Sequence, residues 1–100
     1  MVFRPWLIAP LWFACSYGNT EVVSVLLNAG ADVEQPNEAD ETPLHIACMY
    51  AGIDVVVKLL AANVAVGRAM DNGVTPLHIA CMEGHAEIAT ALVAAGADEN

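Results

Sequence analysis

The chain is poor in positive charge: three Lys and Arg stand against twelve Asp and Glu in 100 residues, a net charge of −9. Such a field repels phosphate backbones and anionic membrane surfaces, so neither nucleic acid nor membrane is the expected ligand, and a protein partner with a basic surface is favoured. No stretch approaches the roughly 20 consecutive apolar residues that a membrane-spanning helix requires. Acid pairs in an apolar setting, the mark of general acid–base chemistry, are also missing, because the carboxylates are dispersed over turns and the first turns of helices. Cysteine is scarce. Cys15, Cys48 and Cys81 recur at one interval (48 − 15 = 33; 81 − 48 = 33), which marks a column of a repeat rather than a disulfide framework. Stacked helices lie roughly 8–10 Å apart, whereas bridged cysteines need Cα atoms within about 7 Å. Small buried thiols in a reducing compartment, cytoplasmic or nuclear, are the simpler expectation.

What the chain has in abundance is apolar residues, 57% of the total, and that is ample for the core of one domain. It also has repetition. Thr42-Pro43-Leu44-His45-Ile46-Ala47-Cys48-Met49 returns as Thr75-Pro76-Leu77-His78-Ile79-Ala80-Cys81-Met82, an offset of 75 − 42 = 33, and the same offset leads to a worn copy at Ala9-Pro10-Leu11-Trp12-Phe13-Ala14-Cys15. A period of this size marks supersecondary units that cannot bury their own faces and must stack on neighbours. The expected organisation is a single domain over 1–100, with repeats at about 5–37, 38–70 and 71–100.

Within the best-formed copy the local chemistry predicts two helices. Thr75 caps the first with its hydroxyl and Pro76 takes the first helical position, where a missing N–H has no consequence. That helix runs to about Glu83, Gly84-His85 turns the chain, and a second helix runs from about Ala86 to Ala95, with Glu87 in its first turn and Gly96 as the left-handed residue that ends it. The same grammar predicts helices at Pro10–Tyr17 and Thr20–Ala29, closed by Gly30, and at Pro43–Tyr50 and Ile53–Ala62, closed by Asn63. Between the pairs, residues 31–41 and 64–74 are rich in turn formers, Asp71-Asn72-Gly73 above all, and each should form an extended, hairpin-like finger.

The segment from Met1 to Ile8 is apolar for a terminus, since solenoid ends normally need a polar outer face. It folds back as a cap, meets a neighbouring chain, or belongs to a longer array. Arg4 followed by Trp6 to Ala14 also suits the charged and apolar regions of a signal peptide. Against that, Leu11, Phe13, Ala14 and Cys15 keep the register of the later copies, which a cleaved leader has no reason to do.

The strings Thr-Pro-Leu-His-Ile-Ala-Cys at 42–48 and 75–81, Gly-His-Ala-Glu-Ile at 84–88 and Gly-Ala-Asp at 30–32 and 96–98 resemble the ankyrin repeat over about residues 9–100. The resemblance implies an all-α solenoid of stacked helix-turn-helix units with projecting β-hairpin-like fingers. It also implies a non-catalytic protein–protein interaction module that binds through a concave face of finger tips and first helices. The His of the motif is expected to hydrogen-bond locally and tie finger and neighbouring repeats together. This chain departs from the pattern at Ala9 and Trp12, which replace Thr and His, at Asp40, which stands where Gly73 ends the later turn, and at Val64-Ala65, which replaces Ala-Asp.

Columns that stay apolar in all three copies are the expected core: Leu11/Leu44/Leu77, Phe13/Ile46/Ile79, Ala14/Ala47/Ala80, Val22/Val55/Ile88, Leu26/Leu59/Leu92 and Leu27/Leu60/Val93. Positions free to vary mark the expected partner-binding surface: Ser16, Tyr17, Met49, Tyr50, Met82 and Glu83 at the ends of first helices, and Glu38, Glu41, Asp71, Asn72 and Val74 on the fingers. Tyrosine offers rigid amphipathic contact area and methionine adapts to irregular surfaces, although Met49 and Met82 would equally serve to cover the helix seam. The acidic run Glu34, Glu38, Asp40 and Glu41 is either a solvated loop or a means of steering a basic partner.

His45 with Cys48, and His78 with Cys81, have a spacing that zinc can use, but Cys15 has only Trp12 beside it, and a structural histidine is the stronger reading. A Cys–His nucleophile is disfavoured because buried thiols resist ionisation. His85 reads as an exposed turn residue. No catalytic residue, metal or cofactor is expected. An alternative role is a structural element or a piece of a longer array that self-associates through its apolar N-terminal end.

Overall fold

The same few side chains decide where the helices of each copy start and stop. A computed structural model describes residues 8–50 and 52–96; the N-terminal expectations rest on residues 1–7, which lie outside them. Among the described residues six helices follow one another: α1 (Ile8–Tyr17), α2 (Thr20–Asn28), α3 (Pro43–Met49), α4 (Ile53–Ala61), α5 (Pro76–Glu83) and α6 (Ala86–Ala94). Apart from the start of α1, every boundary agrees with the expected one to within a residue.

Capping explains both the agreement and the exception. Thr42 and Thr75 are extended, with ψ 167° in each, and Pro43 and Pro76 begin the helices behind them. Their hydroxyls accept from the backbone N–H of His45 and His78 at 3.4 and 3.3 Å, satisfying donors that a helix start leaves unpaired. In the first copy Ala9 has no hydroxyl, and the helix runs back to Ile8. Pro10 is tolerated there because it still lies within the first turn, where its missing N–H would have had no partner.

The turns between paired helices confirm the register. The amides of Asn19, Gly52 and His85 donate to the carbonyls of Ala14, Ala47 and Ala80 at 3.0, 3.1 and 2.9 Å, one bond per copy. After each second helix comes a left-handed residue, Gly30 (φ 96°), Asn63 (φ 63°) or Gly96 (φ 99°), and Asn replaces Gly because its short polar side chain tolerates that region.

The fingers close as turns, and none of their described residues lies in a strand. In the first, Asn37 N–H donates to the Glu41 carbonyl at 2.9 Å and Asp40 N–H to the Asn37 carbonyl at 3.0 Å; in the second, Met70 and Gly73 make the matching bonds to Val74 and Met70 at 2.8 and 2.9 Å. Asp40 takes the left-handed place that Gly73 holds in the second finger (φ 62° and 85°), so the missing glycine leaves the turn intact.

Helices α1, α3 and α5 pack side by side in one layer, and α2, α4 and α6 in another. The core between them includes Leu11, Leu44, Val55, Leu59, Ile88 and Leu92, all fully or almost fully buried. Three expected core residues are exposed instead. Phe13 is 63% exposed where Ile46 and Ile79 are buried, Val22 is 46% exposed where Val55 and Ile88 are buried, and Val93 is also exposed. Leu26, Leu27, Leu60 and Leu77 are half-buried.

The reason is position in the stack. Phe13 and Val22 face the side that a preceding copy covers, whereas Leu77 and Val93 face the side that a following copy covers. Conversely, Val23 and Val56, outside the expected columns, are wholly buried. The thiol column divides in the same way: Cys15 and Cys48 are buried, and desolvation pushes their pKa values up to about 12, while Cys81 is exposed, contrary to expectation.

Leu59 lies at the centre of this packing with no exposed surface. Leu59→Ala should therefore lower unfolding free energy by about 2–5 kcal/mol. Urea denaturation monitored by circular dichroism measures it, and an unmoved midpoint would place Leu59 outside the core.

Candidate functional site

The site is organised by one buried imidazole. His45 is fully buried. Its Nδ1 accepts from the Thr42 backbone N–H at 3.0 Å and lies 2.9 Å from the Thr42 hydroxyl. A ring that accepts at Nδ1 carries its proton on Nε2, and Nε2 meets the Arg68 carbonyl at 3.1 Å, 23 residues along the chain in the next finger. Both ring nitrogens are therefore engaged, which removes His45 as a zinc ligand.

Arg68 in turn donates from Nη1 to the Glu34 carbonyl at 2.6 Å, and a Glu34 carboxylate oxygen accepts from Ala65 N–H at 2.7 Å. One short network thus joins the first finger, the second finger and α3. It also fixes the place of Glu34, whose carboxylate is tied to a backbone amide of the second finger.

His78 repeats the inner half of this arrangement, with Thr75 N–H on its Nδ1 at 3.0 Å. It is exposed, and no described residue meets its Nε2. In the first copy the place belongs to Trp12, whose indole N–H is buried and has no hydrogen-bond partner among the described residues.

With the fingers held, two shallow clefts open along the seam between α1 and α3. One, of about 320 Å³, is lined by Ser16, Tyr17, Gly18 and Thr20 from the first copy and by Tyr50, Gly52, Ile53, Asp54 and Val55 from the second. The other, of about 260 Å³, is lined by Trp12, Phe13, Ser16, Asn37, Glu41, Ile46 and Tyr50. Ser16 and Tyr50 belong to both, so the clefts adjoin and form one trough with a carboxylate toward each end, Glu41 and Asp54. Tyr17 and Tyr50 are 75% and 61% exposed.

Of the residues predicted from sequence, the trough brings together Ser16, Tyr17, Glu41 and Tyr50. Ser16 is held by donating its hydroxyl proton to the Phe13 carbonyl at 3.0 Å, and Glu41 by accepting from the Asn37 side-chain amide at 3.0 Å. Glu38, Asp71 and Asn72 are exposed on the fingers and line neither cleft, and Met82 and Glu83 are exposed on α5. Met49 and Val74 are half-buried and pack against the core, so Met49 covers the seam while Met82 does not.

Phe13, Asn37 and Asp54 join the trough without having been predicted. Phe13 reads in sequence as core because its column is apolar. Asn37 could have been recognised as a turn organiser, since its side-chain oxygen accepts from the amides of both Ala39 and Glu41 at 2.9 Å.

Among the described residues, no cation lines the trough: Lys58 is exposed on α4, and Arg68 is committed to the Glu34 carbonyl. At the finger tips Asp71 has its carboxyl pKa raised, first by a hydrogen bond with the Asp40 carboxyl and then by the Asp40 charge.

Two outcomes follow from these groups. Burial, chiefly, holds the His45 pKa below its usual value. An unfolded imidazole takes up a proton below about pH 6.5 while the folded one resists, so this contribution to stability is full above that pH and is lost as pH falls below it. His45→Ala should therefore weaken stability by about 1–3 kcal/mol through stranded polar groups and flatten the acid limb, whereas His78→Ala should cost about 1 kcal/mol or less, the loss of an exposed cap. Equal losses in urea melts at pH 7.5 and 5.5, two settings on either side of about 6.5, would remove the buried tie.

For Asp71 the sign reverses, because a raised carboxyl pKa favours folding below the ordinary carboxylate range and opposes it above. Asp71→Asn should raise the melting temperature at neutral pH and leave it unchanged in strong acid. No gain at neutral pH would mean that the two carboxylates do not meet.

The descriptions of known families bear on the same residues. A search of curated proteins returned no match. A family model described as ankyrin repeats (3 copies) matches residues 11–100, which takes in all six helices but the first turn of α1, both fingers and the histidine tie. Ankyrin repeats are generally protein–protein interaction modules. With three copies in register, a Thr-Pro cap opening two of them and the finger bound to the His of the motif, the chain belongs to the ankyrin repeat family.

Proposed function

We propose that the protein is a non-catalytic interaction module that takes an extended, basic segment of a protein partner along the α1–α3 trough, on the concave face of the array. The observation that carries this reading is the adjoining pair of clefts sharing Ser16 and Tyr50. Two exposed tyrosines supply apolar contact with a polar tip, the type of side chain that dominates interface energetics. Glu41 and Asp54 favour lysine or arginine in the bound segment, and no described cation competes for them.

Asp40 and Asp71, pressed together nearby, extend the same preference, since a basic residue between them relieves their repulsion. Catalysis is disfavoured on positive grounds: the Cys15 and Cys48 thiols resist ionisation and the His45 ring is committed to the fold. Three free cysteines, one of them exposed, suit a reducing, intracellular compartment. No helix among the described residues is long and apolar enough to cross a membrane.

Selection from a random peptide library displayed on phage tests the reading. Enriched peptides should carry Lys or Arg beside an apolar residue. Their binding should fall about tenfold or more, about 1.4 kcal/mol, in a Tyr17→Ala, Tyr50→Ala, Glu41→Lys protein with an unchanged circular dichroism spectrum. It should also weaken as salt is raised. Peptides that bind the variant as well as the parent would move the site away from the trough.

A further inference from the structure

The internal interface of this stack is used twice, and residues of both its halves are also exposed on the first and last described helix pairs. On the side facing the next copy, Leu11 and Cys15 are buried in the first repeat and Leu44 and Cys48 in the second; in the third, Leu77 is half-buried and Cys81 is exposed. The second-helix layer follows suit. A shallow, mostly apolar groove of about 420 Å³ lies on α6, lined by Ala89, Thr90, Val93 and Ala94. Thirty-three residues earlier, Val56 at the Ala89 position is wholly buried and Leu60 at the Val93 position is half-buried. Val57 and Ala61, at the Thr90 and Ala94 positions, stay exposed, so it is the Ala89–Val93 side of the groove that matches the seat α4 offers to α6.

On the side facing the preceding copy, Ile46 and Val55 are buried in the second repeat and Ile79 and Ile88 in the third, while their first-repeat equivalents Phe13 and Val22 stand exposed.

From this congruence we infer that a second copy of this chain docks head to tail, its Phe13–Val22 end seated on the Leu77–Cys81–Val93 end of the first. The complementarity is not hypothetical in kind. The corresponding helices already pack at α1–α3 with α2–α4 and again at α3–α5 with α4–α6. The contact is heterologous and does not close on itself, so assembly adds chains in a line. Apolar burial drives it and a charge of −9 per chain opposes it, so salt, which screens the repulsion within a Debye length of about 10 Å at 0.1 M, strengthens it. Binding of a basic segment in the trough has the opposite salt dependence, which separates the two readings.

Two variants test the inference without touching the trough or the closed core. Val22→Glu charges one end and Val93→Glu the other, both at positions 46% exposed. Sedimentation velocity on the full chain, from micromolar to millimolar and at low and high salt, should show the mass rising past that of a dimer for the parent. Each variant alone should remain monomeric with an unchanged spectrum. Mixed in equal amounts, they should form a dimer and stop there, because only one working junction exists between them. In the parent, maleimide labelling of Cys81 should slow as assembly proceeds, since the stack covers it as it covers Cys48.

A parent that stays monomeric at high salt overturns the inference. So does assembly that survives in either variant, or a mixture that stays monomeric while the parent assembles.

Discussion

A pair of helices seven to ten residues long cannot hold itself together: isolated helices of that length are marginal in water, and most helical stability comes from packing an apolar face. Each copy here therefore depends on its neighbours, and the middle one has a neighbour on both sides. Its first helix is buried continuously from Pro43 to Cys48, histidine included. That enclosure makes the His45 tie possible. A ring donating to the Arg68 carbonyl and accepting from Thr42 N–H is worth more where water is excluded, and it is also where an unmet group would be most costly. The same Thr and His in the third copy form the same cap on an exposed helix, and the outer bond has no partner among the described residues.

Features encoded by local chemistry were readable from the residues alone. Thr42 with Pro43 and Thr75 with Pro76 announce helix starts, Asn63 and Gly30 announce helix ends, and Asp40 accepts a glycine's conformation without disturbing its turn. Burial was less legible, because it depends on a neighbour that a column of letters does not show. Phe13, Val22 and Val93 are apolar for the same reason as their buried equivalents, yet Phe13 is exposed at the edge of the trough and Val22 and Val93 face away from the stack. Val23 and Val56 were missed for a different reason: in runs such as Val55-Val56-Val57 hydrophobicity cannot rank adjacent positions, and only the direction of the side chain decides.

The candidate site shows the same division. Ser16, Tyr17, Glu41 and Tyr50 stood out because the repeat places no packing demand on them, and all four reach the trough. Asn37 and Asp54 were hidden because a cleft between two helices and a finger has no signature in any one of them. Glu34 reads in sequence as one more acid on a loop, yet its carboxylate is committed to the Ala65 amide and its carbonyl to Arg68. It helps shape the acidic surface by holding together the fingers that carry Asp40 and Asp71.

A stack built this way also has a profile of stability along its axis. In a quasi-one-dimensional array each unit is held by its own folding energy and by nearest-neighbour terms, so among the described helices the amides of α3, packed on both sides, should be the last to exchange with solvent. The first copy, with alanine in place of the capping threonine and a Trp12 N–H that has no partner among the described residues, is poorly placed to resist opening. A ligand lying across the α1–α3 seam would contact both this weak copy and the rigid one behind it, and would act as a splint. Part of the binding free energy would then go into quieting the first repeat, and affinity would be tuned by residues of that repeat that the ligand never touches.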